Sequence, residues 1–320
     1  MAGRMPKIVV VGSVYVDLAI KCENFPEAGE TVWGSGFSCV PGGSGLNSSV
    51  QAALCDCETY FVGKVGEDHF GRMVLGVLED KGVNTEYVFT APAMSTGALV
   101  TMVDSSGENS SCISQGANRA LHADEIGCAR IEQLIGQADV CLINGSVPAD
   151  VVSTLITRAK IYKTKVILET KPMGSAVEGV NSLGWPAEFF NVDVLIPDFS
   201  DIATVSEPGT GDSHELKFLA SELVGRGIGC VLLKIGSRGC FIVDRDGVTL
   251  SEGFESEHFG LGLGDDAFAG ALAASCGCGD KPERAVRFAQ AAAALTAGEF
   301  DCVDSLAGKD KILGLLLDSD

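Results

Sequence analysis

Gly260-Leu-Gly-Leu-Gly-Asp-Asp-Ala-Phe-Ala-Gly-Ala-Leu272 crowds glycines into a turn, adds two carboxylates, and leads at once into a small-residue helix expected over Ala267–Cys276. A helix start leaves backbone N–H groups unpaired and carries positive partial charge, so it draws an anionic group. Glycine lets the backbone approach that anion closely. A carboxylate beside such a nest is placed to take a proton from an attacking hydroxyl. Anion hole plus base is the minimum equipment for phosphoryl transfer to an alcohol. The plainer alternative is a helix capped by Asp265 or Asp266, with the glycines serving only the turn.

The rest of the chain provides the setting for such a site. With 320 residues, 46% of them hydrophobic, it can bury a substantial core in one large α/β domain or two smaller ones. Its 23 Lys+Arg face 43 Asp+Glu, a formal charge of −20, which argues against nucleic-acid or anionic-membrane binding. A nucleotide ligand stays compatible, because glycine nests and helix ends hold phosphate locally. Residues 1–7 run directly into Ile8-Val-Val-Val11, which reads as a first strand and not as a signal peptide. No apolar stretch approaches the length of a membrane span. The expected location is therefore the cytoplasm. Twelve cysteines are scattered, with Cys55/Cys57 and Cys276/Cys278 in C-x-C pairs rather than zinc-type C-x-x-C pairs. Reduced structural thiols are expected, with no metal ligand or nucleophile among them.

Apolar, β-rich runs recur at Ile8–Val11, Thr59–Val62, Val140–Ile143, Lys165–Leu168, Val192–Ile196, Cys230–Ile235 and Cys240–Val243. Helical patterns lie between many of them, at Ser48–Leu54, Phe70–Lys81, Ala149–Ala159, Leu216–Gly225 and Pro282–Ala297, with a terminal helix within Asp301–Asp320. This alternation predicts an α/β fold with a mostly parallel sheet flanked by helices. Two segments, about 14–40 and 95–115, carry strand patterns without helices, the second turning back near Ser105–Asn109. They predict a small β element that covers a cleft and excludes water from reactive phosphate.

Further candidate residues cluster around turns. Pro41-Gly-Gly-Ser-Gly-Leu-Asn47 opens a helix; its glycines permit close approach, and Asn47 can donate to and accept from a sugar hydroxyl. Asp17 lies just past the first strand, where ligands of open α/β sheets gather, and can clamp a diol. Gly63-Lys-Val-Gly-Glu-Asp-His-Phe-Gly71 reads as a structural loop with Asp68 capping the next helix. Asp198 and Asp201 follow a strand and can recruit Mg²⁺ through water, although exposed acids in so acidic a chain look the same. Lys234-Ile-Gly-Ser-Arg-Gly239 joins two strands, either along a nucleotide or as a plain hairpin. Neither a Walker A sequence nor a first-strand G-x-G-x-x-G is present.

In order and spacing, these segments resemble the ribokinase-like (PfkB) carbohydrate kinases. The resemblance runs from Gly12…Asp17 through Pro41–Asn47, Gly63–Asp68, Gly107-Glu-Asn109, Gly116-Ala-Asn118 and Lys234–Gly239 to the Gly-Asp-Asp-Ala-Phe region. It implies one kinase domain over 1–320, built as a three-layer ribokinase-like fold with a small β-sheet lid. It also implies ATP-dependent phosphorylation of a primary hydroxyl on a sugar or sugar derivative. Carried over by position, Asp17, Gly42, Gly43 and Asn47 hold the substrate hydroxyls. Gly262, Leu263 and Gly264 form the anion hole, an Asp following them is the base, and Lys234, Gly236 and Gly239 border the nucleotide.

The chain also departs from the pattern. One residue too many separates Gly262-Leu-Gly264 from Ala267-Phe268, so alignment on the turn makes Asp265 the base and alignment on the helix makes it Asp266. Asp266 is preferred, because the helix that aims the side chain tolerates a register change least. His258-Phe-Gly-Leu261 replaces an upstream Asp that the family associates with a monovalent-cation site, which argues against K⁺ activation. Asp198-Phe-Ser-Asp201 stands for the family's Asn-x-x-Glu, and Ser44 for a lysine common in ribokinases, which argues against ribose as the specific acceptor. The expected partners are ATP with Mg²⁺ and a sugar, with a homodimer through the lid. The alternatives are a nucleoside kinase of the same fold and a degenerate member that binds ligand without catalysis.

Overall fold

The computed structural model describes residues 4–144, 146–170, 185–198, 213–254, 263–296 and 303–319. The first part of the chain contains β1 (Lys7–Val11), β2 (Tyr15–Cys22), β3 (Gly34–Gly42), α1 (Ser44–Leu54), β4 (Glu58–Val62), β5 (Lys64–Gly66) and α2 (His69–Asp80). The middle adds β6 (Phe89–Ala91), β7 (Gly97–Val103), β8 (Asn109–Ser114), α3 (Ala123–Ile126), α4 (Ala129–Gln137), β9 (Val140–Asn144), α5 (Ala149–Tyr162), β10 (Lys165–Glu169) and β11 (Val194–Ile196). The last part holds α6 (Ser213–Gly225), β12 (Cys230–Lys234), β13 (Gly239–Asp244), β14 (Gly247–Glu252), α7 (Leu263–Gly277), α8 (Pro282–Ala294) and α9 (Lys309–Asp318).

The main sheet has the order β14-β13-β12-β11-β10-β9-β1-β4. It is parallel from β4 to β12, and β13 and β14 add antiparallel strands at one edge. Its parallel strands are apolar runs because both faces are covered. Val9, Val11, Cys141, Ile143, Val166 and Leu168 pack on one side with Ile135, Leu155 and Leu223 of the helices α4, α5 and α6. The alternate residues Ile8, Val10, Val140, Leu142 and Ile167 pack on the other side with α7, α8 and α9. A three-layer α/β/α architecture results. Among the described residues no helix is long and apolar enough to cross a membrane.

A second sheet, ordered β3-β2-β7-β8, rises from the end of β1, its strands falling within residues 15–42 and 97–114. Val14, Val16, Leu46, Val50, Phe61 and Val74 form the core that joins it to the body.

One expectation is corrected. The helix predicted over Ala267–Cys276 begins four residues earlier, so Leu263 and Gly264 belong to its first turn and not to a preceding loop. Asp265 and Asp266 therefore sit within the first turn, where negative charge favours the positive end of the helix dipole.

Asp68 illustrates how the elements are tied together. Its Oδ1 accepts from the Gly71 N–H (2.7 Å) and the Thr96 hydroxyl (2.7 Å), and its Oδ2 accepts from the Thr96 N–H (2.8 Å). It thus caps α2, as its sequence setting predicts, and also anchors the segment entering β7. Burial pushes its carboxyl pKa up, but the hydrogen bonds from Thr96 and Gly71 outweigh this and leave it below the ordinary 3.8. A lowered folded pKa means that the stabilisation is complete above the ordinary value and lost as pH falls through the lowered one. Asp68→Ala is expected to lose about 2 kcal/mol at neutral pH in urea denaturation, with the deficit closing under strongly acid conditions. A deficit that stays constant with pH would show that the carboxylate charge has no part in it.

Candidate active site

The parallel strands end together at one edge of the main sheet, and a chain of polar contacts runs along that edge. Ser13, just past β1, meets Ser146 hydroxyl to hydroxyl at 2.5 Å, and Ser146 donates to Asn144 Oδ1 at 2.6 Å. Asn144 Nδ2 donates to Glu169 Oε2 at 2.9 Å, a contact set by the β9/β10 register that places these two strand ends side by side. Lys234, the last residue of β12, has its Nζ 3.9 Å from Glu169 Oε1 and 2.6 Å from Asp265 Oδ1.

The second sheet and α1 approach the same edge. Asp17 on β2 lies against Gly42 at the end of β3, so closely that a Cβ at Gly42 would stand 2.3 Å from Asp17 Oδ2. Gly43 then takes a φ of 98°, a left-handed conformation natural to glycine, and caps α1. That turn brings Asn47, in the opening turns of α1, to α7, where its Nδ2 donates to Asp266 Oδ2 at 2.9 Å. Ser48 reinforces the contact through its hydroxyl, which donates to the Asp266 carbonyl at 3.1 Å. Among the described residues Asn47 Oδ1 has no hydrogen-bond partner although it is buried, an acceptor suited to a ligand hydroxyl.

The two candidate bases diverge. Asp266 is 4% exposed and faces α1. Asp265 has a side chain that is 53% exposed and turns to the other side, as expected of neighbours about 100° apart on a helix. There it lines a pocket of about 650 Å³, open to solvent, with Lys234, Gly236, Gly239, Phe254, Gly264 and Gln290 among its walls. Arg287 stacks 3.7 Å over the Phe254 ring and donates to the Glu252 carbonyl (2.6 Å), which holds that wall in place.

The sequence-derived candidates thus fall into two groups that meet at the start of α7: Asp17, Gly42, Gly43, Asn47 and Asp266 on one side, and Lys234, Gly236, Gly239, Gly264 and Asp265 on the other. Leu263 opens the helix between them and is buried. Asp198 lies just past β11, its N–H donating to Thr170 Oγ1 at 2.8 Å. Gly262 and Asp201 lie outside the described residues. Among the described residues, no group of three or more His, Cys, Asp or Glu side chains is arranged to hold a metal ion. That leaves room for an ion which takes most of its ligands from phosphate and water. The segment Lys234–Gly239 is the β12–β13 connection, and Lys234, Gly236 and Gly239 also line that pocket.

Sequence reading passed over Glu169, Asn144 and Gln290. Glu169 carried a usable signal, a carboxylate ending a buried apolar strand at the edge where ligands gather. Gln290 is a polar residue within the alanine-rich α8, and its amide exchanges hydrogen bonds with Ser251.

This geometry matches known proteins along the whole chain. A family model described as pfkB family carbohydrate kinase matches residues 5–307. The ribokinase of Bacillus subtilis is 29% identical over 322 residues, covering 98% of this chain and 100% of that protein. The deoxyribokinase of Salmonella typhi is 26% identical over 266 residues, covering 83% and 84%. The structure of Arabidopsis thaliana ribokinase complexed with ribose and ATP superposes with a TM-score of 0.87 at 26% identity, covering 98% of this chain and 99% of that one. The chain belongs to the pfkB family of carbohydrate kinases.

Proposed function

We propose that this kinase transfers the γ-phosphoryl group of ATP to a primary hydroxyl of a sugar, with Asp266 as general base. The supporting observation is the meeting of the two groups at the α7 N-terminus: a buried carboxylate bonded to Asn47 on one side, an open pocket ending in Gly264 on the other. The acceptor lies between Asp17 and Asn47, whose buried Oδ1 accepts a hydrogen bond from one of its hydroxyls. The nucleotide lies along Lys234, Gly236 and Gly239, with its terminal phosphate at the first N–H groups of α7, Leu263 and Gly264 among them. Asp266 takes the proton of the attacking hydroxyl while the helix end receives the developing charge. Mg²⁺ would supply charge neutralisation on the phosphates, and Asp198 is the carboxylate that would hold it through water. Lys234 supplies a cationic side chain to this pocket, and turnover independent of K⁺ is expected.

The second sheet serves as a lid over the acceptor and as a surface for pairing two chains. Its edge strand β8 is exposed along its whole length, Phe37, Val100 and Ile113 present apolar area on the same sheet, and Trp33 (97% exposed) stands just before β3. Sedimentation over a range of concentrations tests the pairing; a monomer throughout would overturn it.

ADP release, coupled to a reporter enzyme, across pentoses, deoxypentoses, hexoses and nucleosides with Mg-ATP tests the reaction, each with and without K⁺. A signal dependent on a sugar is expected. A signal with nucleosides alone would move the acceptor class, and silence across the panel from folded protein would overturn the transfer reaction.

A further inference from the structure

Lys234 is held by two carboxylates of different character. Glu169 is 2% exposed, and a buried carboxylate is costly unless hydrogen bonds and opposite charge compensate it. Asn144 and Lys234 provide that compensation from fixed positions at strand ends. Asp265, in contrast, is half exposed, lies on the first turn of a different element, and forms its contact with Lys234 inside the open pocket. An ion pair so accessible to water contributes little to folding, so the fold loses little when it opens.

The same carboxylate occupies both positive features that the pocket offers a phosphate. Its charge lies in the first turn of α7, where the helix dipole draws anions, and its Oδ1 lies 2.6 Å from the ammonium of Lys234. A polyphosphate entering the pocket meets an anion already in place.

We propose that Asp265 is a resident counter-anion: it holds Lys234 in the free protein and yields it to the nucleotide phosphates on binding, while Glu169 keeps its hold on the lysine throughout. This rests on the ATP reading of the pocket. Asp265 then sets nucleotide affinity through competition for Lys234, and it acts on the phosphates and not on the nucleoside.

Titration calorimetry of the full chain with ATP and with adenosine, both in excess Mg²⁺, separates the possibilities. If Asp265 engages Lys234 in about nine molecules of ten, Asp265→Asn tightens ATP about tenfold and leaves adenosine unchanged. The lysine is removed as Lys234→Met with Glu169→Gln, so that no buried charge is left unpaired. In that background Asp265→Asn is expected to change ATP affinity by less than about twofold, because the lysine it competes for is gone and the repulsion left at the helix start is screened by water around a half-exposed carboxylate. Asp246→Asn, in the exposed turn between β13 and β14, removes one negative charge elsewhere and is expected to change nothing.

Tightening that persists without Lys234, or that Asp246→Asn reproduces, would reduce the effect to general repulsion and overturn the proposal. Weaker ATP binding by Asp265→Asn, or binding unchanged from a parent that does bind ATP, would overturn it while leaving the nucleotide reading intact. A parent that binds neither ATP nor adenosine would overturn both.

Discussion

Asp266→Asn is expected to keep ATP affinity and to lower turnover by about three orders of magnitude, within the range a positioned general base contributes. The substitution is nearly isosteric, and the new amide oxygen can still accept from Asn47 Nδ2, so the α1–α7 contact has no reason to open. The amide has no basic oxygen that can take the hydroxyl proton. Because that proton moves only in the reaction, kcat and kcat/KM should fall together, with the ATP Kd unchanged. Steady-state kinetics paired with a binding measurement reads both. Near-normal turnover would remove Asp266 from the role and leave Asp265, which lies on the opposite side of the same helix turn and faces the pocket. A parallel rise in KM for the acceptor would instead show that the Asn47 contact had been disturbed.

The architecture was legible in the sequence wherever burial on both faces left a plain signature. Val140–Ile143 and Lys165–Leu168 are strands because no solvent face interrupts their apolar residues, and they appear as β9 and β10 in the central sheet. Helices between strands, such as α2 and α5, were equally plain. The amphipathic α4 and the strand β14 escaped notice; β14 is exposed and edge-placed, so no run of buried residues records it. The start of α7 was misjudged because glycine and aspartate resemble a turn locally. Packing against α1 and α8, which favours helix from Leu263 onward, is tertiary.

At the candidate site, residues whose chemistry stands out locally were singled out, and those that meet distant partners were not. Asp17, Gly42, Gly43 and Asn47 announce themselves as carboxylate, glycine pair and amide next to a strand end and a helix start. Glu169 acquires meaning only when β9, β10 and β12 are laid side by side, bringing Asn144 and Lys234 to it. Lys234 itself was assigned to the nucleotide border from the loop it begins, without its ion pair to Asp265. That pair joins elements with no local relation in sequence. It is also what separates the two adjacent aspartates, a distinction that spacing alone left to helix geometry.

Gly42→Ala should disable the acceptor side of the site almost as fully as loss of Asp17 itself, while sparing the fold. The added methyl would stand 2.3 Å from Asp17 Oδ2, closer than real Cβ contacts come, and a tight 3.2 Å from its Cγ. Gly42 does not need a left-handed φ, so alanine suits the backbone and the β2/β3 register can persist. The Asp17 carboxylate is the part able to move, and it must move. If it holds an acceptor hydroxyl, loss of a hydrogen bond to a charged group corresponds to about 1.5–3 kcal/mol, or roughly a tenfold to hundredfold drop in kcat/KM for the sugar. ATP binding without sugar should be unchanged, since Gly42 and Asp17 do not line the nucleotide pocket. The test of cause is non-additivity: Gly42→Ala placed on Asp17→Ala should cost nothing further, because the methyl then has no carboxylate to displace. An undiminished kcat/KM in Gly42→Ala would mean that the displaced carboxylate was never in contact with the acceptor, and the sugar would have to be held from the Asn47 side alone.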